Sequence, residues 1–240
     1  MRLKMTFRLK KPELDIEYRR MFLSLLKNAF QQASQEVFDR LYGNGTPMKP
    51  FTFGVFLTKP QFRDNSILLD SPDITLNFST PLTELGIYFY NSMIRRARRF
   101  EAYPLSNGND MILIRVSLTE EKQVTGNEAV FRTISPFLIR LHNKESNEDR
   151  YLAKHDESFG TEIENNCRIM LKELTGNEET VLFTPVTIGN PIPIRHFGIL
   201  VEGNTGIFKL IGNPQVLEFI YKTGIGSRRS EGFGLLELIG

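Results

Sequence analysis

Between Arg2 and Leu9 apolar and polar residues alternate, with Leu3, Met5, Phe7 and Leu9 on one side and Arg2, Lys4, Thr6 and Arg8 on the other. A period of two predicts a half-buried strand. From Tyr18 the period lengthens. Tyr18, Met21, Phe22, Leu25, Leu26, Ala29, Phe30, Ala33, Val37 and Leu41 recur at the three-and-four spacing that gathers side chains into one stripe of a helix, and Gly43 and Gly45 predict its end. Phe51 to Thr58 and Asp73 to Ser79 are rich in Phe, Thr, Val and Leu and flank a polar, Pro-containing turn, as paired strands do. Thr80 predicts a cap for a second helix with Pro81 at its first position; its stripe is Leu82, Leu85, Phe89 and Met93. Met111 to Leu118 predicts the next strand.

The order strand, helix, two strands, helix, strand is the ferredoxin-like layout, an α+β arrangement in which helices cover one face of a sheet. A second copy begins near Ala129. Val130 to Arg140 reads as extended segments around Ser135-Pro136, and Phe159, Ile163, Cys167, Met170, Leu171 and Leu174 form a helical stripe. Strands at Leu182 to Thr187 and Phe197 to Glu202 follow, then a short helix from Asn213-Pro214 through Ile220 that Gly224 ends, then a strand from Gly232 to Leu238. The pattern predicts two tandem ferredoxin-like domains, at 1–122 and 129–240, with the linker in Thr119 to Glu128 and an internal loop at Asn143 to Glu157.

Length and composition agree: 240 residues suit two small domains, and 40% hydrophobic residues with 19 Phe can fill ordinary cores. The single cysteine, Cys167, excludes an intrachain disulfide, and no CxxC pair or Cys/His cluster predicts a metal or other cofactor. A reducing, cytoplasmic home fits. No apolar run reaches the ~20 residues that span a bilayer, and Met1 to Lys11 alternates charged and apolar residues where a signal peptide has an apolar core, so no membrane partner is expected.

Net charge is only +2, so a polyanionic partner must be argued from local clusters. Arg95, Arg96, Arg98 and Arg99 crowd the end of the second helix, where cations also suit the helix dipole. The second cluster is Gly224-Ile225-Gly226-Ser227-Arg228-Arg229-Ser230-Glu231-Gly232-Phe233-Gly234. Gly224, Gly226, Gly232 and Gly234 let backbone amides come close to a phosphate; Arg228 and Arg229, beside Ser227 and Ser230, supply charge-assisted hydrogen bonds. The same run also serves as a mere turn. Without a Lys-Ser/Thr ending, and with its helix before the glycines, it is not a nucleoside-triphosphate loop.

Placed after a short helix near the C-terminus, this segment resembles the glycine-rich signature of the CRISPR-associated Cas-six repeat-processing endoribonucleases of the RAMP superfamily. Thr133-Ile134-Ser135-Pro136-Phe137-Leu138-Ile139-Arg140 looks like that family's Thr-hydrophobic-Ser-Pro strand, and Leu26-Lys27-Asn28-Ala29 with Lys49-Pro50-Phe51-Thr52-Phe53 matches its first helix and second strand. The resemblance implies tandem ferredoxin-like domains and CRISPR repeat RNA as partner, with a place in an effector complex and a homodimer both left open. It also implies metal-independent cleavage, in which a ribose 2′-hydroxyl attacks the adjacent phosphate to leave a 2′,3′-cyclic phosphate and a 5′-hydroxyl. In many members a histidine after the first helix is the base and a lysine follows it. Lys49 matches the lysine, but the histidine position falls on Tyr42, and no histidine precedes His142. A tyrosine of ordinary pKa ~10 is a poorer base at neutral pH than a histidine at ~6.5. Cleavage would then rest on Lys27, Lys49 and the loop arginines; the alternative is a relative that binds repeat RNA without cutting it. His142, His155 and His196 read as structural or solvated, too far apart in sequence to suggest a metal site.

Overall fold

The computed structural model describes residues 1–43, 45, 47–143 and 148–240. It divides into two units, one of residues 1–47 and 54–120 and one of residues 48–53 and 121–240.

The first half of the chain runs β1 (Arg2–Leu9), β2 (Glu13–Asp15), α1 (Tyr18–Ala33), α2 (Gln35–Tyr42), β3 (Thr52–Phe56), β4 (Gln61–Phe62), β5 (Ser66–Leu68), β6 (Asp73–Ser79), α3 (Thr83–Arg99), β7 (Ala102–Pro104) and β8 (Asp110–Leu118), with Thr52 and Phe53 of β3 counted in the second unit. Strands β3-β6-β1-β8-β7 form one sheet and β2-β5-β4 a small second one. With β7 set aside, β8-β1-β6-β3 is the fourth, first, third and second strand of a ferredoxin-like unit. The apolar side of β1 is as predicted, with Leu3, Met5, Phe7 and Leu9 buried opposite the apolar stripes of α1 and α3, while on the other side Lys4 and Arg8 are exposed but Arg2 is buried. Phe30, Phe78 and Phe89 meet at its centre, with the Phe78 and Phe89 ring centroids 4.4 Å apart. A fully buried Phe is worth about 1.5–3 kcal/mol, so this cluster is a principal stabilising term.

The continuous helix predicted to Leu41 is in fact two. Ser34 is extended (φ −163, ψ 128), and its hydroxyl accepts a hydrogen bond from Val37 N at 3.3 Å, capping α2. Val37 and Leu41 stay buried across the break, so the apolar period does not register it.

The second unit runs β9 (Glu128–Thr133), β10 (Ile139–Asn143), β11 (Glu148–Leu152), α4 (Phe159–Thr175), β12 (Leu182–Ile188), β13 (Ile192–His196), β14 (Ile199–Gly203), β15 (Gly206–Ile211), α5 (Pro214–Thr223) and β16 (Leu236–Leu238). Its sheet, β12-β15-β9-β16, again has the ferredoxin-like order. Phe131 faces Phe208 across β9 and β15, above Ile163, Cys167, Leu217 and Ile220 from the two helices.

Two expectations are corrected. The core strand after β12 is β15, while Phe197 to Glu202 lies in the hairpin β13-β14, whose turn is Phe197-Gly198 with φ 51 and 78. Apolar content alone does not separate a hairpin strand from a sheet strand, and Ile199 and Leu200 are exposed. The loop predicted at Asn143 to Glu157 contains β11, paired with β10 from Ile139↔Leu152 to Asn143↔Glu148, and 144–147 fall outside the described residues. Among the described residues no helix is long and apolar enough to cross a membrane.

Candidate functional site

The glycine-rich segment leaves the end of α5 and turns back along the stretch between β9 and β10. Ile225 N donates to Gly234 O at 2.9 Å, Gly234 N to Pro136 O at 2.8 Å and Ser227 N to Leu138 O at 2.7 Å. Gly226 and Gly234 have φ of 79 and 71, and a Cβ on them would lie 2.5 Å from Leu138 O and 1.9 Å from Ile225 O. These glycines let backbone approach backbone within the second unit. The sequence reading directed such amides to a phosphate; those of Ser227, Ile225 and Gly234 have protein acceptors.

The two arginines part company. Arg229 is 5% exposed and donates through a guanidinium NH to Gly226 O at 2.6 Å. Burial lowers its pKa to about 10, and burial likewise pushes the neighbouring Cys167 thiol up to about 12. Arg228, in the left-handed region at φ 56, is partly exposed; it donates to Tyr151 Oη at 3.0 Å and to Glu231 at 3.1 Å, with Asp149 at 3.8 Å. Ser227 Oγ accepts from Asn166 Nδ2 at 3.4 Å, and Ser230 is half-buried.

Around Arg228 the carboxylates have histidine partners that sequence spacing did not reveal. His196 Nε2, on a ring only 2% exposed, lies 2.6 Å from Glu231 Oε2, and His142 Nδ1 lies 2.9 Å from Asp149 Oδ1. Burial would raise the Glu231 carboxyl, but the hydrogen bonds and charges of His196 and Arg228 outweigh it and hold the group below its ordinary range. Asp149 is likewise lowered: burial raises it, while His142, Arg140 and Arg228 more than offset that. His142 and Asp149 are cross-strand partners in a hairpin, a pairing legible only once the register is known.

In the first unit the structure brings Lys27 to Tyr42. The Tyr42 ring stacks on Phe38 at 5.3 Å, and Lys27 Nζ stands 5.5 Å above it. Burial pushes the Tyr42 hydroxyl well above the ordinary tyrosine value. Across the physiological range it is therefore a neutral phenol. Lys49, half-buried, belongs with the second unit. Among the described residues no group of His, Cys, Asp and Glu side chains converges as metal ligands would.

The arginines ending α3 also divide. Arg96 is buried, donating to Asn28 Oδ1 at 3.1 Å, with Glu101 at 3.5 Å and the Tyr103 ring 5.3 Å away. Arg95, Arg98 and Arg99 are exposed.

Two ferredoxin-like units, the second closed by a glycine-rich segment hydrogen-bonded to residues 134–138, make this a tandem ferredoxin-like α+β protein. The family described as CRISPR associated protein Cas6, C-terminal matches residues 119–238, half of the chain, and the chain belongs to the Cas6 family. It is 29% identical over 120 residues to an endoribonuclease-like CRISPR-associated protein, Cas6nc, of Pyrococcus horikoshii. That match takes in 48% of this chain and 49% of the relative, so the chain spans about half the length of the curated relative it matches. Among solved structures, a Cas6-related protein from Pyrococcus furiosus superposes with a TM-score of 0.85 at 18% identity, covering 100% of this chain and 98% of that one. A structure described as a RAMP protein binding different RNA substrates gives 0.83 at 20% identity over 100% of both chains.

Proposed function

We propose that this chain binds CRISPR repeat RNA and holds it without cutting it efficiently, as a repeat-RNA carrier within a CRISPR effector complex. Family membership supports the RNA partner, as does the fold it shares with a protein described as binding RNA substrates. The observation that carries the binding-only reading is Tyr42. The resemblance aligns the family's histidine base with Tyr42, and burial moves its hydroxyl away from the range in which it would accept a proton. Lys27, over its ring, brings a cation that would stabilise negative charge.

The test is incubation of labelled repeat RNA with excess protein in a chelator. Intact, retarded RNA is the expected result, with affinity falling as salt rises. A product ending in a 2′,3′-cyclic phosphate would restore the cleaving reading, and absence of any complex would end both. Tyr42→His places at this position a group whose ordinary pKa is near neutrality and which burial shifts toward the neutral, proton-accepting form, so cleavage should appear or rise in that variant, read by the same product.

A further inference from the structure

Phe100 caps α3 in the left-handed conformation, φ 49, and is 70% exposed. Glycine takes such a cap without penalty, whereas a bulky residue at positive φ is an outlier. An exposed phenyl ring adds a second local cost, and two costs at one residue without local compensation point to use. Beside it, Arg95, Arg98 and Arg99 are exposed, and among the described residues none of them has a carboxylate at ion-pair distance. The helix dipole accounts for cations at this end of α3, but not for the aromatic cap. Nor does it account for the surface groove of about 780 Å³ that Arg95, Arg98 and Phe100 line together with Tyr90 and Asn91.

We propose that this end of α3 is a subsite for single-stranded RNA, with a base stacked on Phe100 and the flanking phosphates held by Arg95, Arg98 and Arg99. The assignment rests on the RNA-binding reading above and adds where an unpaired stretch is gripped. An aromatic face among unpaired guanidinium groups is the chemistry of a single-strand site: the ring accepts any base, and the cations follow the backbone. An acidic peptide would satisfy the arginines and leave the ring unused. Arg96, held by Asn28 and Glu101, anchors the helix and takes no part.

The experiment compares whole-chain variants by fluorescence anisotropy on a fluorescein-labelled oligouridylate and on the repeat RNA. Phe100→Ala and Phe100→Gly should weaken oligouridylate binding about 5- to 150-fold, the loss of one stacked base. Phe100→Gly should do so with a melting temperature no lower than wild type, because glycine relieves the strained cap; a merely structural Phe100 would not separate the two readouts. Replacing Arg95, Arg98 and Arg99 together with Gln should reduce the slope of log affinity against log salt by about 2, three single-strand phosphates' worth. If the wild type binds repeat RNA but all variants keep its affinity and salt slope, the subsite is overturned and RNA binding survives. If the wild type binds neither RNA, both readings fall.

Discussion

At Arg229 a guanidinium that is 5% exposed is held by the carbonyl of Gly226 at 2.6 Å, with no carboxylate at ion-pair distance among the described residues. That hydrogen bond ties the side chain to its own turn. Arg229→Ala should remove a buried side chain and leave that carbonyl without its donor, costing about 2–4 kcal/mol, measurable as a fall in the urea midpoint. Arg228→Ala loses only partly screened ion pairs, so its stability cost should stay below ~1 kcal/mol. The Glu231 carboxylate carries the pH dependence of this corner. Its folded pKa lies below the unfolded value of 4.5, so its contribution is complete above about 4.5 and is lost as pH falls through the lower folded value. Between those two limits the urea midpoint of the wild type should decline with acidification, and Glu231→Gln should flatten that decline. An unchanged slope in Glu231→Gln would assign the acid sensitivity to other groups, Asp149 first among them.

The glycine-rich element was legible in the sequence as an unusual turn, but not the direction of its close approach. Glycine spacing says that backbone must come near something; only the fold shows that at Gly234 the neighbour is Ile225 O, 1.9 Å from where a Cβ would sit. Gly234→Ala should therefore destabilise the folded chain by several kcal/mol, about as much as a core truncation, because backbone cannot yield as a flexible side chain does. A melting temperature within a degree or so of wild type would show that the Ile225 backbone moves aside freely. The helices teach a related lesson. Period located α1 and α2 but could not see Ser34 break them, since a cap depends on local hydrogen bonding and both helices bury the same stripe. The hairpin β13-β14 read as a sheet strand because Ile199 and Leu200 have strand composition, and pairing partners far along the chain decide which strand is which.

At the scale of the whole molecule, the doubled order of strands and helices was readable because each copy repeats its switches between periods of two and 3.6. The assignment of residues 48–53 to the second unit was not readable, since Phe51-Thr52-Phe53 has the composition of any buried strand. Thr52 shows what the assignment does: fully buried, it donates from Oγ1 to Phe233 O at 2.7 Å, and its side chain fills the space a Cβ on Gly224 would need. A residue from the first half of the chain thus completes the hydrogen bonding of the glycine-rich segment. Thr52→Val keeps the shape but leaves a buried carbonyl without its donor, so it should cost about 1–3 kcal/mol, while Thr52→Ser should retain most of the stability. A fragment beginning at residue 121 lacks this donor altogether and should show faster hydrogen exchange at the Ile225 and Gly234 amides than the same amides in the full chain. Equal protection in the two would mean that the second unit closes its glycine-rich segment without help from residues 48–53.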